Sequence, residues 1–204
     1  VILFSGDAYI DHPAFGAAVI GRLLEAEGYR VAIVPQPNWR DDLRDFTKLG
    51  APRLFFGVSA GSMDSMVNHY TANLRLRSND AYTPGGKAGF RPDYAVKVYT
   101  QILKRLFPHV PVVVGGIEAS LRRLTHYDYW NDTLKPSVLA ESGADLLIYG
   151  MGERVVQQVA KAMRNGYNAK LLRKLRQVAF MADDSYVQRL DPAETIRLHS
   201  YEEC

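Results

Sequence analysis

The chain has 204 residues, 47% hydrophobic and 23% charged, with a net charge of +3. That is enough for one sizeable globular domain and a little more, and the charge alone makes no case for a nucleic-acid partner. No run reaches the length of a membrane span and no signal peptide is visible; the single cysteine, Cys204, excludes a disulfide framework and any iron–sulfur or zinc site built from several cysteines of this chain, so a reducing, cytoplasmic setting is expected.

Residues 1–4 read as a first strand, followed by the loop Ser5-Gly6-Asp7-Ala8-Tyr9-Ile10-Asp11-His12. Pro13 suits the first position of a helix, where its missing N–H costs nothing. Phe15, Val19, Leu23 and Ala26 then recur at helical spacing until Gly28. Residues 30–34 form a second strand and 41–48 a short helix. Residues 53–58 form a third strand, closed by the small residues Ser59-Ala60-Gly61-Ser62, with Ser62 placed to cap a helix near Met63.

From about residue 70 to 91 the pattern dissolves into a segment too long for an ordinary connection, which is therefore functional or mobile. Pro92 restarts a helix with Val96, Tyr99, Ile102, Leu103 and Leu106 on its apolar side. Val112-Val113-Val114 then reads as a buried parallel strand. It is stopped by Gly115-Gly116-Ile117-Glu118, where the missing Cβ atoms let backbone or a ligand approach closely. A polar and aromatic segment, 122–132, leads to a helix over 136–142 and a fifth strand over 144–149. Gly150-Met151-Gly152-Glu153 opens a helix that Asn165-Gly166 stops. Beyond it, 176–181 and 195–198 are candidate strands. No repeat or low-complexity tract is present.

Alternating strands and helices over 1–166 predict a doubly wound parallel α/β sheet of five core strands, flavodoxin-like or Rossmann-like, with a less regular extension over 167–204. The flavodoxin-like order 2-1-3-4-5 puts the switch point between strands one and three, where ligands bind at the carboxyl edge. Gly6, Asp7, Asp11, His12, Ser59, Ala60, Gly61, Ser62, Gly115, Gly116, Ile117 and Glu118 are therefore the candidate binding residues. The chain opens inside a strand without an initiator methionine and closes on Ser200-Tyr201-Glu202-Glu203, a capping-box sequence at which a helix begins. Both ends are expected to continue into a longer protein.

A dinucleotide fingerprint and a Walker lysine are absent. Asp7, Asp11 and His12 share one loop and could bind a metal or act as acid and base; capping of the helix opened by Pro13 is the favoured alternative. Ser59 occupies the place where a receiver domain carries its phosphorylated aspartate. Arg75, Arg77, Lys87, Arg91, Arg122 and Arg123, with Tyr82, Tyr127, Tyr129 and Trp130, could gather around an anionic or nucleic-acid substrate, though solvated loops are the favoured alternative. No residue is assigned a catalytic or metal-ligating role.

Loop one, the serine loop, the Gly-Gly turn and Gly150-Met151-Gly152-Glu153 together resemble the cobalamin-binding-type Rossmann domain that precedes many radical SAM cores. Gly6-Asp7-Ala8-Tyr9-Ile10-Asp11-His12-Pro13, Gln36-Pro37-Asn38-Trp39, Ser59-Ala60-Gly61-Ser62-Met63-Asp64 and Gly115-Gly116-Ile117-Glu118-Ala119-Ser120 are similar to the amino-terminal region of YgiQ-type radical SAM proteins. The resemblance implies an accessory domain whose partner is the radical SAM core of the same polypeptide. It implies a 4Fe-4S cluster and S-adenosylmethionine for the full-length protein, with an unknown substrate, and no activity for this domain alone. Two departures count. The Asp-x-His-x-x-Gly motif of histidine-ligated cobalamin proteins is broken, since Asp11 and His12 are adjacent, and the family's Cys-x-x-x-Cys-x-x-Cys motif is absent. The alternatives are a cofactor-free interaction or substrate-docking module, and a cobalamin-binding domain of a methyltransferase-like enzyme.

Overall fold

A computed structural model describes residues 1–10, 15–166 and 169–204. In chain order its main elements are β1 (Ile2–Ser5), α1 (Phe15–Ala26), β2 (Ala32–Pro35), α2 (Arg44–Thr47), β3 (Phe56–Ser59), α3 (Ser65–His69), α4 (Ala95–Leu106), β4 (Val112–Val114) and α5 (Gly116–Leu121). They continue as β5 (His126–Asp128), β6 (Thr133–Lys135), α6 (Val138–Ser142), β7 (Leu146–Ile148), α7 (Glu153–Arg164), β8 (Val178–Ala179) and α8 (Asp184–Val187). The main sheet runs β2-β1-β3-β4-β7-β8. Its first five strands are parallel and in the expected order, and β8 adds to β7 antiparallel, Leu147 opposite Ala179.

The sheet is covered on both faces, which is why its strands are apolar at consecutive rather than alternate positions. One face carries Ile2, Phe4, Phe56, Val58, Val112 and Val114 against α2, α4 and α6; the other carries Phe55, Val113, Leu146 and Ile148 against α1 and α7. In α4, Ala95, Val96, Tyr99, Thr100, Ile102 and Leu103 are buried, a stripe at three- and four-residue spacing. Lys104 and Arg105 lie in its last turn, where cations favour the helix dipole. In α7 the buried stripe is Val155, Val156, Val159 and Ala160, with Glu153 in the first turn and Lys161 and Arg164 in the last. Each fully buried Val or Leu contributes about 1.5–3 kcal/mol.

Four details depart from the sequence expectation. The helix after the serine loop begins at Ser65, and its cap is Asp64, whose side chain accepts from the N–H groups of Met66 and Val67; Ser62 is engaged elsewhere. Residues 122–132 are not a simple loop, because they enter the antiparallel hairpin β5–β6. The hairpin is pinned to α4 by the Tyr94 hydroxyl, which donates to Asp128 at 2.7 Å, and by Lys135, which pairs with Asp128 at 2.7 Å and lies over the Tyr94 ring. Residues 195–198 pair with no strand among the described residues. At Ser200 the capping box forms as read, with the Ser200 N–H donating to the Glu203 carboxylate at 2.7 Å, but the element it opens is a three-residue 3₁₀ turn, Tyr201–Glu203. Among the described residues no helix is long and apolar enough to cross a membrane.

Candidate functional site at the carboxyl edge

Loops one and three cross at the switch point with almost no space between them. The Gly6 N–H donates to Ser59 O at 3.1 Å, and a Cβ on Gly6 would overlap the Ala60 carbonyl. Gly61 has φ +105°, and a Cβ there would overlap the Asp7 carboxylate. Both glycines are thus required by close approach, and Gly61 also by its left-handed backbone. Asp7 is buried, and one of its oxygens accepts from the N–H and the hydroxyl of Ser62 at 2.7 and 2.9 Å.

The segment between α3 and α4 is docked onto these loops. Arg91 is fully buried; its guanidinium donates to Ala60 O at 2.7 Å and pairs with Asp7 at 3.1 Å and Asp80 at 3.2 Å. The Ala8 N–H donates to Tyr82 O at 3.0 Å, and the Gln36 amide bridges Gly6 O and the Thr83 hydroxyl at 3.2 and 2.7 Å. Burial opposes ionisation of Asp80, yet Arg91 and the Tyr82 N–H hold its carboxyl below the usual range. The effect is to cover the β1–β3 part of the edge with the chain's own residues.

Glu118 sits behind the Gly-Gly turn and is 1% exposed. Its two oxygens accept from the Ser65 N–H at 2.8 Å and the Val96 N–H at 2.9 Å, so one carboxylate joins the starts of α3 and α4. Burial pushes its pKa up against the pull of these donors. Beside it, Asp64 combines its cap with an ion pair to Arg122, whose pKa burial lowers.

An open cleft of about 310 Å³ lies on the other side of the edge, between α1 and α7. Leu3, Gly57, Val113 and Ile148 form its floor; Ser59, Gly61, Gly115, Gly116, Gly150 and Gly152 form its rim. Glu153, at the start of α7, is the one ionisable side chain among the described lining residues. This surface suits an apolar or planar group and offers no acid–base pair.

Of the predicted binding residues, Ser59, Gly61, Gly115 and Gly116 line this cleft. Gly6, Asp7, Ala60 and Ser62 lie in the adjoining loop crossing, Ile117 is exposed on α5, and Glu118 is enclosed beneath it. Asp11 and His12 lie outside the described residues. The arginines do not gather around one substrate site. Arg91 and Arg122 are buried in ion pairs, Arg123 donates to Ser120 O and stacks on Tyr149, and Arg77 donates to Val67 O and Tyr70 O. Among the described residues no group of three or more His, Cys, Asp or Glu is placed to hold a metal ion. Asp64, Asp80 and Arg91 carry much of the site's architecture and are not among the predicted binding residues; Asp64 closes the serine-loop motif, Arg91 stands in the arginine group, and no local pattern marks Asp80.

The fold is similar to part of radical S-adenosylmethionine methyltransferase TsrM from Kitasatospora setae. The structure of that protein with cobalamin and a [4Fe-4S] cluster bound aligns with a TM-score of 0.56 at 19% identity, covering 87% of this chain and 28% of that one. Its structure with tryptophan substrate and the SAM analogue aza-SAM aligns with a TM-score of 0.53 at 20% identity, covering 82% and 26%. At such identity the likeness concerns the fold. The chain itself belongs to the Radical SAM N-terminal family, whose model matches residues 1–204. It is 66% identical over 205 residues to a UPF0313 protein of Porphyromonas gingivalis and 60% identical over 215 residues to one of Bacteroides thetaiotaomicron. The alignments cover all of this chain but 32% and 34% of those relatives, so the chain spans about a third of their length.

Proposed function

We propose that this domain is the accessory amino-terminal part of a radical SAM enzyme. Its catalytic region, elsewhere in the polypeptide, holds a [4Fe-4S] cluster through three thiolates and binds S-adenosylmethionine. The observation that carries this is the family match across the whole chain, set beside relatives three times as long. One cysteine cannot ligate such a cluster, so the ligands come from outside residues 1–204. A thiolate-held cluster needs reducing surroundings, and the cytoplasm is the proposed location.

Cobalamin, bound by TsrM, is a poor fit for the residues present here. The cleft is at the small end of ligand-site volumes, among the described residues no histidine lines it, and the Arg91-anchored segment covers the β1–β3 loops. The same covering favours the second reading, a docking module that keeps the fold without a cofactor. Anaerobic reconstitution of the full-length protein with iron and sulfide tests the main reading. A [4Fe-4S] spectrum perturbed by S-adenosylmethionine is expected; a full-length protein that takes up no cluster would overturn it. Titration with cobalamin should show no saturable micromolar change.

A further inference from the structure

Several exposed large apolar side chains lie in the segments that follow β4 and β7. The strongest concentration is α5 and its neighbours. Ile117 and Leu121, four residues apart and so on one helix face, are 46% and 59% exposed. Leu124 is 48% exposed and Met151 75%. The Gly150 N–H donates to the Ser120 hydroxyl at 3.2 Å, which brings Met151 beside α5. Met151, Gly115 and Gly116 also line the cleft, so this patch forms one lip of its mouth. Adjacent exposed apolar side chains of this kind mark an interaction surface.

We propose that another part of the same polypeptide, outside residues 1–204, packs on the α5 face and closes the mouth of the cleft. This rests on the reading of the chain as one domain of a longer radical SAM protein. Two observations choose that occupant. Two thirds of the length of the relatives lies outside the aligned region, and the family description places this domain at the amino-terminal end. The Tyr201 hydroxyl donates to Leu134 O at 3.3 Å, so residue 201 of the extension lies beside the hairpin that follows α5. An intramolecular partner also needs little area, because tethering replaces a bimolecular encounter with a high effective concentration.

The test uses the full-length protein with the photo-reactive residue p-benzoyl-phenylalanine at position 121, and separately at position 49 on the far edge as control. Irradiation at position 121 is expected to link it to a peptide of the same chain outside 1–204; position 49 should give no such link. A mixture of isotopically light and heavy protein separates links within a chain from links between chains. Links between two copies, or no link to outside residues, would overturn the proposal. In Leu121→Asp, amide exchange over 116–124 should rise about tenfold relative to the parent, while Leu49→Asp leaves it unchanged. Equal exchange in Leu121→Asp and the parent would also overturn it. Iron and sulfide content, measured on the same samples, reports on the radical SAM reading alone, so a protein that crosslinks as expected but holds no cluster defeats that reading and not this one.

Discussion

Replacing Arg91 with methionine isolates the energetics of the buried ion cluster. The substitution keeps much of the side-chain volume and removes the partner of Asp7 and Asp80 and the donor to Ala60 O. Removing one partner of a buried ion pair costs about 3–5 kcal/mol, because the remaining charge is left without compensation. For a chain of this size that corresponds to a fall in Tm of roughly 6–20 °C. The pH dependence follows from Asp80. In the parent, burial opposes its ionisation but Arg91 prevails and its folded pKa is depressed, so its contribution is present above the unfolded pKa of about 3.9 and lost as the pH falls through the depressed value. In the variant the pull of the guanidinium is lost while the Tyr82 N–H still donates to the carboxylate, so the folded pKa rises relative to the parent's and the penalty eases as the carboxylate takes up a proton. Urea unfolding of the 204-residue chain at pH 7.5 and pH 3.5 should therefore show a large deficit that narrows at the lower pH. A deficit below about 1 kcal/mol at pH 7.5, or one equal at both pH values, would refute this account.

Gly61→Ala should cost at least about 2 kcal/mol, since it adds a Cβ at φ +105° against Asp7; a loss under about 0.5 kcal/mol in urea unfolding counts against the crowding. Asp64→Asn keeps an acceptor for the Met66 and Val67 N–H groups but loses the charge facing Arg122, while Asp64→Ala loses both. The alanine variant should be less stable than the asparagine variant by about 1 kcal/mol, read as the difference in urea midpoints. Glu118→Gln offers one acceptor oxygen to two N–H donors and should cost about 1–3 kcal/mol at pH 5. Because burial raises the folded pKa of Glu118, the parent loses stability as the pH rises through that value, and the deficit of the variant should shrink towards pH 8. Ser200→Ala, at an exposed turn, should change stability by less than about 0.5 kcal/mol.

The order of the sheet was legible because each of its five parallel strands is a short apolar run closed by small residues, and such runs alternate with helical spacing. The hairpin β5–β6 was not, because its three-residue strands carry His126, Asp128 and Lys135, whose partners lie on another strand and on α4. Ser62 was read as a cap by its type; Asp7, 55 residues away, claims its N–H and hydroxyl, and the cap passes to Asp64. Residues 195–198 have strand composition but no neighbour to pair with among the described residues, and composition cannot supply one. At the edge, glycines marked the strand ends and hence the rim of the cleft. Glu118 and Arg91 were marked by the Gly-Gly motif and the arginine group, but the role of these buried charges, like that of Asp80, was not legible, because it lies in contacts between residues far apart in the chain.

The two-residue strand β8 has a consequence for biosynthesis. Until residues 178 and 179 are made, the outer side of β7 is an unpaired strand edge, open to any other nascent or unfolded chain. At about 5–20 residues per second, the 30 residues from Ile148 to Val178 leave that edge bare for roughly 1.5–6 s. Truncation before Val178 would make the exposure permanent, and a chain ending near residue 166 should precipitate on expression where one ending at 181 does not. The opposite border needs no such cover, because β2 is four residues long and ends in Pro35, which has no N–H to offer an incoming strand.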